Sequence, residues 1–171
     1  MRHLCFVGAG VALAFGLSGT AHAVTQTRVT QIPAGAACQL SVPTIDTAVR
    51  PRATGFRNEG TTSAFTICGI QDPVGGMVTD AAITFYSLDN VAHTFSCTAV
   101  NGWPDSGHYA YSTKTVTPNS SSSRTSLHFY PEDFSGTTVM PHEGYISVTC
   151  SLPANVSVGY MYMYYSEDVG N

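Results

Sequence analysis

Residues able to do chemistry are few in this chain and lie far apart. Asp105-Ser106-Gly107 reproduces the D-[TS]-G triplet in which aspartic proteases hold paired carboxyls that share a proton. Such a site needs two triplets with apolar flanks; here the flanks are Trp103-Pro104 and His108-Tyr109, and no second triplet occurs. Pro-Asp-Ser-Gly is a strong turn sequence instead. Beyond residue 23 the histidines are His93, His108, His128 and His142, with no two at the spacing of a local metal-ligand pair. No G-x-S-x-G elbow marks a nucleophile among the many serines after that point. Glu132-Asp133 and Glu167-Asp168 are adjacent pairs, so on a strand their carboxylates point to opposite faces and form no dyad for glycoside cleavage. The Asp72–Gly76 segment offers oxygens to calcium but lacks the dense Asp/Asn pattern of a calcium loop. No catalytic set, metal site or cofactor is therefore expected. A hydrolase whose triad only the fold assembles stays open as a minor class.

Aromatic residues are better placed for recognition. In Val156–Tyr165, strict alternation puts Val156, Val158, Tyr160, Tyr162 and Tyr164 on one face and Ser157, Gly159, Met161, Met163 and Tyr165 on the other. A tyrosine row spaced by two can form a platform for sugar rings or a partner surface, or can supply ordinary cross-strand pairs. Trp103, the only tryptophan, falls in a turn-rich stretch, Asn101–Gly107, followed by Tyr109 and Tyr111. The candidate binding residues are thus Trp103, Tyr109, Tyr111, Tyr160, Tyr162 and Tyr164.

The elements that must position them read as short strands punctuated by Gly, Pro, Asn and Asp. Expected strands are Val24–Ile32, Cys38–Thr44, Thr54–Asn58, Ser63–Ile70, Val78–Leu88, Val91–Val100, His108–Val116, Thr125–Tyr130, Gly144–Leu152 and Asn155–Tyr165. His93 shares the apolar face of its strand with Val91, Phe95, Cys97 and Ala99, and Leu88–Val91 reads as a hairpin turn. No long segment beyond residue 23 has helical periodicity. The fold expected is all-β, an antiparallel β-sandwich of about eight to ten short strands, with a barrel as the alternative closure.

The chain opens with Met1-Arg2-His3, an apolar stretch Leu4–Leu17 and the small-residue triplet Ala21-His22-Ala23. These features predict a secretory signal over 1–23, cleaved after Ala23, and one exported domain over 24–171. The apolar stretch is too short for a membrane span, and none longer follows. Four cysteines then remain, Cys38, Cys68, Cys97 and Cys150. An even number in an exported chain predicts two disulfides, for which three pairings exist; the sequential one, Cys38–Cys68 and Cys97–Cys150, is preferred.

Charged residues make up only 11% of the chain, and the expected mature part has eleven acidic against six basic residues. That balance argues against nucleic acid and anionic membranes as partners. A surface built from Ser and Thr suits contact with neutral sugars or with further copies.

The order of features resembles a group of small, uncharacterised exported four-cysteine β proteins of Gram-negative bacteria. The resemblance rests on Cys38, Gly55-Phe56-Arg57-Asn58, Cys68, Ser96-Cys97, Cys150, Leu152-Pro153 and Gly159-Tyr160. It implies a β fold and a periplasmic or extracellular location, and no activity. The function expected is a non-enzymatic surface module that binds a glycan, the cell envelope or a protein, or that self-assembles. An exported enzyme inhibitor and the motif-poor hydrolase are the alternatives.

Overall fold

Alternation in the sequence becomes eleven strands among the residues described by the computed structural model, namely 24–42, 48–71, 76–103, 107–135, 139–142 and 145–170. They are β1 (Thr25–Pro33), β2 (Cys38–Leu40), β3 (Val49–Arg52), β4 (Gly55–Asn58), β5 (Ala64–Gln71) and β6 (Met77–Ser87). After these come β7 (Phe95–Trp103), β8 (His108–Val116), β9 (Thr125–Phe129), β10 (Tyr145–Leu152) and β11 (Val156–Asp168). The expected signal, Asp72 to Gly75, Asp105-Ser106 and Glu143 lie outside the described residues. No described helix is long and apolar enough to cross a membrane.

The strands form an antiparallel sandwich. One sheet runs β3-β4-β11-β6-β9, with β1 also pairing β11, and makes six strands; the other runs β2-β5-β10-β7-β8. Inward positions recur every second residue, as a half-buried strand requires. Ile146, Val148, Cys150 and Leu152 of β10 face Phe85, Ile83, Val158 and Met163 of the other sheet within one apolar cluster. Phe85 meets Phe95 edge-on across the interior at 5.0 Å. Each such buried ring stabilises the fold by about 1.5–3 kcal/mol relative to exposure. Asn58 adds a buried polar tie, donating to Thr62 O at 2.8 Å and to Leu152 O at 3.0 Å, and so links β4 to the opposite sheet.

Both disulfides follow the sequential pairing, Cys38–Cys68 and Cys97–Cys150. Each joins directly opposed residues on neighbouring strands of the five-stranded sheet. They staple that sheet internally and leave its attachment to the six-stranded sheet to packing and to hydrogen bonds such as those of Asn58 and of Lys114 Nζ, which donates to His128 O at 3.0 Å.

Several expectations change. Leu88–Val91 is no hairpin: β6 and β7 belong to different sheets, so the chain crosses the sandwich there. Asp89 shapes the crossing by accepting from Val91 N at 3.0 Å and from Ser87 Oγ at 2.8 Å. β7 consequently starts at Phe95, and His93 sits before it with Nε2 2.8 Å from Asp89 Oδ1. That hydrogen bond, the leading cause, holds the Asp89 carboxyl well below the usual carboxylate range. β7 also runs on to Trp103, which is therefore a strand residue and not part of a loop. β3 was not foreseen, because Arg50-Pro51-Arg52 does not look like a strand; as an edge it tolerates a proline that cannot donate to a ladder. Pairing of β2 stops at Leu40.

Candidate functional site

The site is built on β11, the central strand of the six-stranded sheet. β11 does not keep one alternation along its length. Its register against β6 shifts between Val158 and Met161, a β-bulge at Gly159-Tyr160. One slipped residue exchanges the faces, so Val156 and Val158 share the core side with Met161 and Met163, while Tyr160, Tyr162 and Tyr164 turn outward. This corrects the strict alternation read from the sequence, which put the valines with the tyrosines.

Thr84 of β6 secures the bulge. Its hydroxyl donates to Tyr160 O at 3.0 Å and accepts from Tyr160 N at 2.9 Å, replacing the ladder bonds that the bulge interrupts. Gly159 leaves room for a neighbouring ring: a Cβ there would stand 2.7 Å from Tyr86 Cε2 and 2.9 Å from Thr84 Oγ1.

Strand register lays the outer side chains in rows. Val29, Tyr164 and Asp80 form one, and Gln31, Tyr162, Ala82 and His128 the next. Tyr162 is tilted to Tyr160 at 5.8 Å and edge-on to Tyr164 at 5.7 Å between centroids, and is 9% exposed. Tyr164 and Tyr130 are exposed at 42% and 40%. His128 stacks on Tyr130 at 5.6 Å. Arg124 donates to Tyr160 Oη at 2.6 Å and lies over its ring.

Beneath the rings Asp80 Oδ2 lies 2.9 Å from His128 Nδ1, and His128 Nε2 lies 3.3 Å from Tyr162 Oη. A neutral ring donating from Nδ1 leaves Nε2 to accept from the phenol. Carboxylate, imidazole and hydroxyl thus follow one another in the order of a hydrolytic triad. The phenol, however, is held above its ordinary pKa, first by burial and then by Asp80, the opposite of an activated nucleophile. Burial likewise lifts the Asp80 carboxyl, against the hydrogen bond from His128. What the trio does chemically is fix three side chains in place under the platform.

Next to the platform the sheet opens. β4 pairs with β11 over Val156–Val158 and β1 pairs with the same edge from Tyr160 onward, so the two diverge at the bulge. A cleft of about 720 Å³ results, lined among others by Gln31, Pro33, Thr54, Arg57, Ser157 and Tyr160.

The remaining sequence candidates occupy the opposite side of the molecule. Trp103 packs edge-on against Tyr145 at 4.6 Å, and Tyr109 against Tyr111 at 5.3 Å, at one end of the five-stranded sheet. His108 and His142 stack 6.2 Å apart near that end, where Asn101 holds His142 by two backbone hydrogen bonds. The six candidates therefore form two groups of three, on opposite sheets. Arg57, Arg124, Asp80, His128 and Tyr130 were not singled out as binding residues. Only the fold gives them a place in the site: register sets Asp80 and His128 in the rows of Tyr164 and Tyr162 and Arg57 opposite Ser157, while Arg124 and Tyr130 flank β9 and contact Tyr160 and His128.

No protein-family model and no curated protein sequence matches this chain. Among solved structures it is similar to a carbohydrate-binding module from a glycoside hydrolase family 9 protein of Ruminococcus flavefaciens FD-1, with 11% identity over 58% of this chain and 82% of that one, TM-score 0.40. It is also similar to the family 11 carbohydrate-binding module of Clostridium thermocellum, solved with a β-1,3-1,4-mixed-linked tetrasaccharide. That match has 12% identity over 91% of this chain and 90% of that one, TM-score 0.34. A β-(1,4)-mannanase of Podospora anserina matches at 10% identity over 79% of this chain and 27% of its own length, TM-score 0.43. The likeness is one of β architecture.

Proposed function

We propose that this protein is a non-enzymatic, exported β-sandwich module that binds a glycan along the outer face of its six-stranded sheet. The observation that carries the reading is the tyrosine row of β11, turned outward by the bulge and bordered by hydrogen-bonding groups and an open cleft. Pyranose rings have C–H faces that pack on aromatic rings, and hydroxyls that need both donors and acceptors. Tyr160 and Tyr164 supply the rings; Gln31, Thr54, Arg57 and Arg124 supply polar contacts alongside. Tyr160, Tyr164, Gln31 and Arg57 stand on paired strands, so little conformational freedom is lost when a ligand settles on them. The hydrogen-bonded Asp80–His128–Tyr162 trio serves as support for the platform.

Co-sedimentation with insoluble polysaccharides and cell envelopes, together with affinity electrophoresis through gels containing soluble polysaccharides, tests the reading. Pelleting or retardation that depends on the added polysaccharide, and that Tyr164→Ala weakens, is the expected result. Pelleting in the protein-only control would point to self-assembly. Unchanged mobility across the panel, with no pelleting on any solid, would remove the glycan reading.

A further inference from the structure

Resting on that reading, we propose that the glycan is acidic, and that its anionic groups seat at the cleft end of the face, against Arg57 and Arg124. The described residues include six Lys and Arg side chains. Two of them have a carboxylate to themselves: Arg28 pairs with Glu167, and Lys114 with Asp133. The other four gather at one end of the outer face. Arg50 and Arg57 are opposed across β3 and β4, in the row that Ser157 and Tyr86 continue. Arg52 follows two residues after Arg50, on the same side of β3. All three guanidiniums converge on the single carboxylate of Glu59, through a hydrogen bond from Arg52 and looser approaches of 3.7 Å from Arg50 and 3.9 Å from Arg57. The Arg52 hydrogen bond, helped by the charges of its neighbours, holds Glu59 ionised below the usual carboxylate range. One negative charge thus meets three positive ones.

Arg124 approaches from the far side of Tyr160. Among the described residues it has no carboxylate partner, and its hydrogen bond goes to the Tyr160 hydroxyl, a neutral acceptor. Arg57 lines the cleft with its hydrogen bonding incomplete: Nη2 donates to Thr54 Oγ1 at 2.7 Å, while Nε is enclosed without an acceptor. A chain of net negative charge therefore collects most of its unneutralised cations at one end of this face, with Arg57 in the cleft lining, Arg50 and Arg52 gathered with it on Glu59, and Arg124 on the hydroxyl of Tyr160, which borders the cleft. Guanidinium forks suit oxyanions, carboxylate or sulfate alike. An acidic polysaccharide on this face places sugar rings on Tyr160 and Tyr164 and charged substituents over the arginines.

The test is affinity electrophoresis of the full chain through gels holding polygalacturonate, dextran sulfate or uncharged dextran, at low and raised salt. The expected result is binding to at least one anionic polymer about tenfold tighter than to dextran at low salt, with the gap closing as salt is raised. Retardation by polygalacturonate alone assigns the anion as carboxylate, and by dextran sulfate alone as sulfate. Arg124→Gln, an exposed substitution, should reduce the anionic preference, and Arg57→Gln should do so further. Arg28→Gln, at the end of β1 away from the cleft, should leave it unchanged. Equal or tighter binding of the uncharged polymer overturns the proposal while leaving the tyrosine platform standing, provided Tyr164→Ala still weakens it. An anionic preference equally insensitive to Arg57→Gln and Arg124→Gln overturns the assignment to the cleft. Failure of both anionic polymers to retard the protein overturns this proposal, and only if no other polysaccharide retards or pellets it is the platform removed as well.

Discussion

The two outer faces of the sandwich have similar ingredients and different arrangements. On the five-stranded sheet the hydroxyls satisfy one another across strands: Thr98 with Thr113 at 2.8 Å, Ser96 with Thr115 at 3.3 Å, and Thr94 with Thr117 at 3.0 Å just beyond the ladder. Its aromatic pairs, Trp103–Tyr145 and Tyr109–Tyr111, sit edge-on to each other at one end. On the six-stranded sheet the rings stand beside a half-buried acid, an imidazole and an arginine cluster, and a bulge opens a cleft between β1 and β4. Aromatic content alone therefore does not distinguish a binding face. A break in strand pairing does, because it leaves space and polar groups that the ladder has not consumed. The covalent staples lie on the quiet face: both disulfides belong to the five-stranded sheet.

The contrast can be broken or sharpened by substitution. The largest effect is expected from Cys97→Ser with Cys150→Ser, which should lower unfolding free energy in urea by ~2–5 kcal/mol. Glycan retardation by the folded fraction should survive, since the staple lies in the other sheet; its loss from folded protein would refute the separation of the two faces. Thr84→Val keeps shape but strips Tyr160 N–H and C=O of their partner at the bulge, a cost of ~1–3 kcal/mol for each group left unsatisfied. It should lower the melting temperature and retardation together, whereas Thr98→Val on the other face should leave retardation intact. Tyr164→Ala should weaken binding about tenfold, in keeping with an aromatic contact of ~1.5 kcal/mol. Trp103→Ala and Tyr111→Ala, measured in the same gels, are expected to leave binding unchanged; an equal loss would move the site to the opposite face.

The smallest effect concerns pH. Burial lifts the Asp80 carboxyl above its ordinary range, so the folded chain holds that proton more firmly than the unfolded chain. Its contribution is therefore fully present below the ordinary aspartate pKa and declines as pH rises through the folded value. Asp80→Asn should flatten that decline in thermal melts across the mildly acidic range. A parallel profile for the variant would show that Asp80 does not cause it.

Local pattern carried much of the fold. β8 spans His108–Val116 as read from the sequence, and β5, β6, β9, β10 and β11 begin within a residue or two of their expected starts. Alternation is a property of neighbouring residues, and it also placed Cys97 and Cys150 on inward faces. The candidate site was less legible. His128 and Asp80 are far apart in the chain and meet only because β6 and β9 pair, and Arg57 of β4 and Arg124, just before β9, come near Tyr160 from distant parts of the chain. Overall charge, which is negative, concealed an arginine cluster on one face.

What the sequence determined by itself is the alternating strands, the turns between them and a cysteine set that predicts two bridges. Each depends on short-range chemistry: side-chain alternation, turn propensity and an even count of thiols beyond residue 23. The tertiary structure decided which strands share a sheet, that Leu88–Val91 crosses between sheets, and that Trp103, Tyr109 and Tyr111 lie opposite Tyr160, Tyr162 and Tyr164. It also decided the direction of the tyrosine row, because a bulge at Gly159 shifts alternation by one residue. That shift is fixed by Thr84 and Tyr86 on the neighbouring strand, far away in sequence, and no pattern within β11 contains it.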